Sequence, residues 1–122
     1  MVWPELDYDS EQARPSGDDL ETPVPVAVDN ERLAFFRSMC AVRKAHPELR
    51  RGAYKVIYAD QANRTFAFER RLNDAALVGV FNASGREVAM PALFRDCEVV
   101  HASDRSTTGH LQARGFVLLR PR

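Results

Sequence analysis

Three histidines are the side chains of this sequence best suited to bind a metal or to act as a general base: His46, His101 and His110. Their spacing matches no metal-ligand motif, and none of them neighbours a nucleophile signature. The hydroxyl-rich run from Ser106 to Gly109 indicates a loop, because the Gly-x-Ser-x-Gly pattern of a nucleophile elbow is absent. We therefore predict surface or structural histidines, no catalytic residue, no metal site and no cofactor.

Carboxylates, the other common catalytic side chains, are concentrated at the start of the chain. Residues 1–30 carry eight acids against one base, whereas the remainder carries nine acids and 16 bases. Four prolines punctuate this opening stretch: Pro4, Pro15, Pro23 and Pro25. They predict that residues 1–28 are mostly irregular, which would not hold a pair of carboxylates rigidly. The uneven charge indicates either two structural regions or a solvated acidic loop, and both interpretations stay open.

The composition is that of a globular domain and excludes several classes of partner. The 122 residues suffice for one modest core, and the formal net charge of zero argues against nucleic acid and membrane surfaces. The opening residues lack the basic segment and apolar core of a signal peptide, so a cytoplasmic location is expected. Cys40 and Cys97 lie among apolar neighbours and are expected to remain unpaired.

One long helix is predicted from about Asn30 to Ala45. Asp29 is a good N-cap because its carboxylate can accept hydrogen bonds from the first turn, and Pro47 ends the helix. At 100° per residue the helix carries two apolar patches, and a basic strip separates them. The patches are Phe35, Met39 and Val42, and Leu33, Phe36 and Cys40. A helix that is apolar over so wide an arc is expected to pack against two separate parts of a protein.

From Tyr54 onward the apolar pattern changes to a period of two, which predicts about six to eight short strands. The expected strands start near Tyr54, Phe66, Ala76, Glu87, Glu98 and Phe116. Short strands at this spacing predict an antiparallel β-sandwich of Greek-key type, so the fold class is mainly β. The residues expected in its core are Phe66, Phe68, Val78, Val80, Phe81 and Phe116.

Several short motifs follow one another along the chain in a fixed order. They are Met1-Val2-Trp3-Pro4 with Tyr8-Asp9, Leu33-Ala34-Phe35-Phe36-Arg37, the run from Val42 to Gly52, Phe66-Ala67-Phe68-Glu69-Arg70, Val80-Phe81-Asn82, and Leu111 with Gly115-Phe116-Val117-Leu118-Leu119. In this order they resemble the last barrel helix and the C-terminal sandwich of α-amylase-superfamily glycoside hydrolases. The resemblance is to the neopullulanase, cyclomaltodextrinase and maltogenic amylase type.

This resemblance implies that residues 1–50 end a catalytic (β/α)8 barrel and that residues 51–122 form a C-terminal all-β domain. The family's nucleophilic Asp, acid/base Glu and stabilising Asp lie on earlier barrel strands, and their motifs do not occur in this sequence. Retaining hydrolysis needs two carboxylates about 5 Å apart. The resemblance therefore implies an inactive segment of a parent enzyme that hydrolyses α-1,4 and α-1,6 glucosidic bonds.

The resemblance also implies the partners of the chain. These are the missing barrel of the same polypeptide, the parent's α-glucan substrate, and a second copy through the 30–45 helix when the barrel is absent. Trp3 is the one candidate for substrate binding, because its loop runs near the barrel's catalytic face in that family. Packing as an apolar anchor is the stronger expectation for this side chain.

The alternative is an independent carbohydrate-binding β-sandwich module. A sugar-binding stripe could be formed by Tyr54, Tyr58, Phe66 and Phe68. However, the alternation of these aromatic residues along adjacent strands favours a place in the core. A free module would cover the apolar face of the helix with its own strands, whereas a barrel fragment would leave part of it exposed.

Overall fold

The computed structural model describes residues 3–14, 16–103 and 105–122. The chain divides into two compact units, Met1–Ala41 and Val42–Arg122. In the described part of the chain, no helix is both long and apolar enough to cross a membrane.

The first unit contains a small antiparallel hairpin of β1, Glu11–Ala13, and β2, Asp19–Val24. Gly17 adopts a φ of 89° in the turn, a conformation that glycine reaches without steric cost. The expectation of a mostly irregular segment over residues 1–28 therefore needs correction over these two strands. The pattern gave no strand signal because β1 is exposed throughout and β2 has only one half-buried residue, Leu20.

Helix α1 spans Asn30–Ala45, as the sequence predicts. Asp29 caps it, since its Oδ1 accepts a 2.9 Å hydrogen bond from the main-chain N–H of Arg32. Within the two apolar patches Leu33 is buried, while Phe35 and Phe36 are 51% and 44% exposed. Pro47 does end α1, but it also starts a second, unpredicted helix, α2, over Pro47–Arg51. Proline fits the first position of a helix, where its missing N–H costs nothing.

The second unit is built on a five-stranded antiparallel sheet. Its strands are β3 (Ala53–Asp60), β4 (Thr65–Leu72), β5 (Ala75–Asn82), β9 (Phe116–Arg120) and β7 (Glu98–Ala102), in that spatial order. A two-stranded sheet of β6 (Val88–Ala89) and β8 (His110–Leu111) accompanies it, with a 3₁₀ turn over Ala92–Phe94. The predicted mainly β, sandwich-like fold is confirmed. Strand β8 is an addition that the sequence did not indicate.

The core lies between one face of the large sheet and the small second layer. Its buried members are Ala67, Val78, Val80, Val117 and Leu119 from the large sheet, and Met90, Phe94 and Leu111 from the second layer. The core prediction is therefore confirmed for Val78 and Val80.

For the four phenylalanines the core prediction is wrong. Phe66 is 38% exposed, and Phe68, Phe81 and Phe116 are only partly buried and lie outside the core cluster. Successive side chains of a strand point to opposite faces, and these rings occupy the face opposite Ala67, Val80 and Val117. Because both faces of β5 are apolar, the period of two could not decide which face forms the core.

Candidate functional site

The most distinctive feature of the second unit is a continuous row of aromatic rings across the large sheet. We call it the ring ladder: Tyr54, Phe68, Phe81, Phe116 and His101, one side chain from each of the five strands. Successive ring centroids are separated by 5.3, 5.5, 5.7 and 5.9 Å. Cross-strand aromatic neighbours of this kind stabilise a sheet through contacts between its strands.

Gly79 makes this stacking possible at the centre of the sheet. It pairs with Phe68 across the β4–β5 ladder, and a Cβ atom at this position would lie 2.9 Å from Phe81 and 3.1 Å from the ring of Phe68. A side chain here would push the two rings apart. The sequence did contain this signal, since an isolated glycine inside an apolar strand indicates a close approach of neighbouring groups.

Phe66 forms a second, shorter row beside the ring ladder. Its ring stacks on Phe81 with a centroid distance of 5.0 Å and an interplanar angle of 11°. On its other side the paired residue of β3 is Ala59, which has no ring to continue the row. A hollow of about 530 Å³ opens at this place, and both Ala59 and Phe66 line it.

The other end of this sheet face is covered by α2, which packs on β4 and β5. Leu77 is completely buried there, and Glu48 of α2 is 5% exposed. Glu48 Oε1 lies 3.6 Å from Arg120 Nη1, whereas its Oε2 has no hydrogen-bond partner in the described part of the chain. Arg120 Nη2 also approaches His46 Nδ1 at 3.5 Å. The sequence gave no indication of this ion pair between a buried carboxylate and a partly exposed guanidinium, which attaches α2 to the end of β9.

Trp3, the one substrate-binding candidate of the sequence, lies in the first unit and is 41% exposed. Its main-chain N–H donates a 3.0 Å hydrogen bond to the hydroxyl of Tyr8, and its carbonyl accepts one from Leu6. These bonds fold the segment from Trp3 to Tyr8 back on itself. The substrate-binding role of Trp3 stays a prediction.

Two carboxylates of the large sheet, Asp60 and Glu69, have lowered pKa values. Among residues 3–14, 16–103 and 105–122, no three His, Cys, Asp or Glu side chains are placed to share a metal ion. Hydrogen bonds from Asn63 lower the pKa of Asp60, and the hydrogen bond from Arg71 lowers that of Glu69. A general acid needs the opposite shift, because it must hold its proton near neutral pH. Both carboxylates are better suited to holding local structure.

Comparison with solved structures relates the fold to carbohydrate-active enzymes. An enzyme of family GH13_31 superposes with a TM-score of 0.61 at 16% identity, over 87% of this chain and 20% of that one. The α-glucosyl transfer enzyme XgtA gives a TM-score of 0.56 at 24% identity, over 74% of this chain and 18% of that one. A putative α-amylase from Salmonella typhimurium gives 0.57 at 23% identity, over 74% and 16%.

No protein-family model and no curated protein matches the sequence. The chain spans only 16–20% of the length of these three structures. At 16–24% identity the likeness concerns the fold. The chain thus has the fold of a short portion of these larger enzymes.

Proposed function

We propose that this chain is the non-catalytic C-terminal segment of an α-glucan-processing glycoside hydrolase of the α-amylase superfamily. The observation that supports this best is the superposition on the GH13_31 enzyme, which includes 87% of this chain but only 20% of that one. The sequence motifs make the neopullulanase, cyclomaltodextrinase and maltogenic amylase type our choice of subfamily. The parent would hydrolyse α-1,4 and α-1,6 bonds by a retaining mechanism on carboxylates outside this chain.

In this proposal residues 1–50 complete the catalytic barrel and residues 51–122 form a domain that stabilises it. The wide apolar arc of α1 fits such a place, since a final barrel helix contacts both the barrel wall and the appended domain. Phe36, 44% exposed, lies in one of the two patches. Burial of such apolar surface stabilises by about 25 cal/mol per Å². When the barrel is absent, α1 would associate with a second copy.

Sequencing the reading frame upstream of Met1 is the direct test. We expect a barrel-coding sequence with the three carboxylate motifs. An upstream frame without a barrel would contradict the proposal. As a second test, the purified 122-residue chain is incubated with starch, pullulan and cyclodextrins. We expect no new reducing ends, and turnover that persists through repurification would contradict the non-catalytic role.

An independent carbohydrate-binding module is the second candidate. The observation in its favour is the set of exposed rings on the sheet, Tyr54 at 58% and Phe66 at 38%. Sedimentation of the unsubstituted 122-residue chain and of its Phe36→Ser variant, each at several concentrations, separates the two proposals. Concentration-dependent association that Phe36→Ser removes favours the barrel segment, and strictly monomeric behaviour of both proteins favours the module.

A further inference from the structure

The two aromatic rows on the large sheet differ in one respect that indicates a ligand site. In the ring ladder, Phe68 is followed on β3 by Tyr54, whose centroid lies 5.3 Å away. In the shorter row, Phe66 is followed by Ala59 and by the hollow of about 530 Å³. The face of Phe66 that is turned away from Phe81 is therefore the place where a third ring could stack. The hollow is broadly open to solvent, so a ligand here would stack on the ring without being enclosed.

The lining of the hollow combines apolar and polar side chains. The ring of Phe66 and the methyl group of Ala59 share one face of the sheet, and Gln61 and Arg64 of the β3–β4 turn line the hollow beside them. Within the described residues, the side chains of Gln61 and Arg64 make no hydrogen bond or ion pair, so their N–H groups and the amide oxygen of Gln61 remain available for a ligand. The carboxylate of Asp60 accepts a 2.8 Å hydrogen bond from Asn63 and belongs to the other face of the sheet, because Asp60 pairs with the buried Thr65.

The β3–β4 turn holds this part of the lining in place. Arg64 adopts a φ of 50°, and its main-chain carbonyl accepts a 2.9 Å hydrogen bond from Ala83. Arg86 Nη2 donates a 3.0 Å hydrogen bond to the side chain of Asn63. The turn is thus tied to the loop after β5, and the main chain that carries Gln61 and Arg64 is positioned before any ligand arrives. Preorganisation of this kind lowers the entropic cost of binding.

We propose that the hollow binds one pyranose ring of a neutral α-glucan, with the sugar stacked on Phe66. A pyranose has an apolar face of C–H groups and a rim of hydroxyls, which matches an exposed aromatic ring with amide and guanidinium groups beside it. The choice of an α-linked glucose polymer rests on the proposed function above, whereas the stacking site itself rests on the geometry.

The test uses the full 122-residue chain and titration with maltoheptaose, followed by NMR amide shifts and by calorimetry. We expect saturable shifts concentrated at residues 59–66 and 83. Ala59→Tyr places a ring in the hollow without removing any existing contact, and we expect it to weaken binding by at least about tenfold. Ala89→Tyr, at an exposed position of β6, is the matched control and should bind maltoheptaose as tightly as the unsubstituted chain does. Gln61→Ala should weaken binding while the fold is unchanged.

Each outcome decides between the proposals. The saccharide site is wrong if maltoheptaose does not bind, or if it binds equally well to the Ala59→Tyr variant. Cellohexaose serves as the β-linked comparison, and its preferential binding would overturn the α-glucan assignment. A barrel-coding frame upstream combined with no binding removes this inference and leaves the proposed function intact. Specific binding combined with no barrel upstream leaves the site and overturns the barrel-segment function.

Discussion

The side-chain amide of Asn82 donates a 2.9 Å hydrogen bond from Nδ2 to the main-chain carbonyl oxygen of Gln112. The same Nδ2 reaches the carbonyl of Arg86 at 2.7 Å, while Oδ1 accepts hydrogen bonds from the N–H and hydroxyl of Ser84. Asn82 is only 2% exposed. One buried amide therefore connects the end of β5, the following loop and the residue after β8.

Asn82→Ala should destabilise the chain by about 2–4 kcal/mol, because several buried polar groups lose partners and each costs about 1–3 kcal/mol. Urea unfolding followed by circular dichroism measures the loss. Gln112→Ala is the control, since it keeps the main-chain acceptor and removes only an exposed contact with Glu87. We expect a change within about 0.5 kcal/mol for this control. Equal losses in the two variants would show that the Asn82 network does not stabilise the fold.

Gly79→Ala should destabilise by about 1–3 kcal/mol, the usual cost of inserting a methyl group into a well-packed place. The reason is the contact of 2.9 Å that its Cβ would make with Phe81. Gly85→Ala is the matched control, because no atom lies within 4 Å of the added methyl group. Thermal unfolding of both variants gives the comparison. A neutral Gly79→Ala variant would mean that the rings of Phe68 and Phe81 do not meet over this residue.

Much of the architecture follows from local signals in the sequence. Asp29 and Pro47 mark the two ends of α1. Both act within one helical turn, since the side chain of Asp29 caps the first N–H groups and the ring of Pro47 disfavours helical angles at the residue before it. The apolar run of β5 correctly predicts a central strand, since it is apolar on both faces. These features depend only on neighbouring residues.

The remaining features depend on contacts between distant residues. The packing of β6, β8 and the 3₁₀ turn against one face of the sheet decides that Val80, and not Phe81, points into the core. An alternating sequence pattern does not show which face these elements will cover. Strand β8 has only two residues, His110 and Leu111, too few for any periodicity. The hollow beside Phe66 exists because Ala59 pairs with it after a register shift between Val56 and Tyr58. A sequence alone does not show such a bulge.

Asp60 gives a pH-dependent contribution to stability through the β3–β4 turn. Its Oδ1 accepts a 3.1 Å hydrogen bond from the N–H of Asn63, and the hydrogen bonds from Asn63 lower its pKa below the ordinary 3.8. A lowered folded-state pKa stabilises the fold above the unfolded-state value, and this stabilisation is lost as the pH falls through the folded-state value. Asp60→Ala should therefore be less stable than the parent chain at pH 7, and the difference should narrow below pH 3.8. Urea melts of the unsubstituted chain and of Asp60→Ala from pH 7 to pH 2.5 measure this difference in the free energy of unfolding, with Asp74→Ala as the control. A difference that does not change with pH would contradict the role of the ionised carboxylate.

The two faces of the large sheet should respond differently to the loss of a large side chain. Leu119 is completely buried in the core, so Leu119→Ala should cost about 2–5 kcal/mol from lost burial and a residual cavity. Phe66 is 38% exposed and contacts Phe81 through one face. Phe66→Ala should therefore destabilise the fold by only about 1–2 kcal/mol, of which the lost contact between the two rings accounts for about 0.5–1.5 kcal/mol. Urea melts of both variants at pH 7 give the two values on one scale. A cost for Phe66→Ala equal to that for Leu119→Ala would place Phe66 in a core, as the sequence pattern first predicts, and would remove the exposed ring face on which the saccharide site depends.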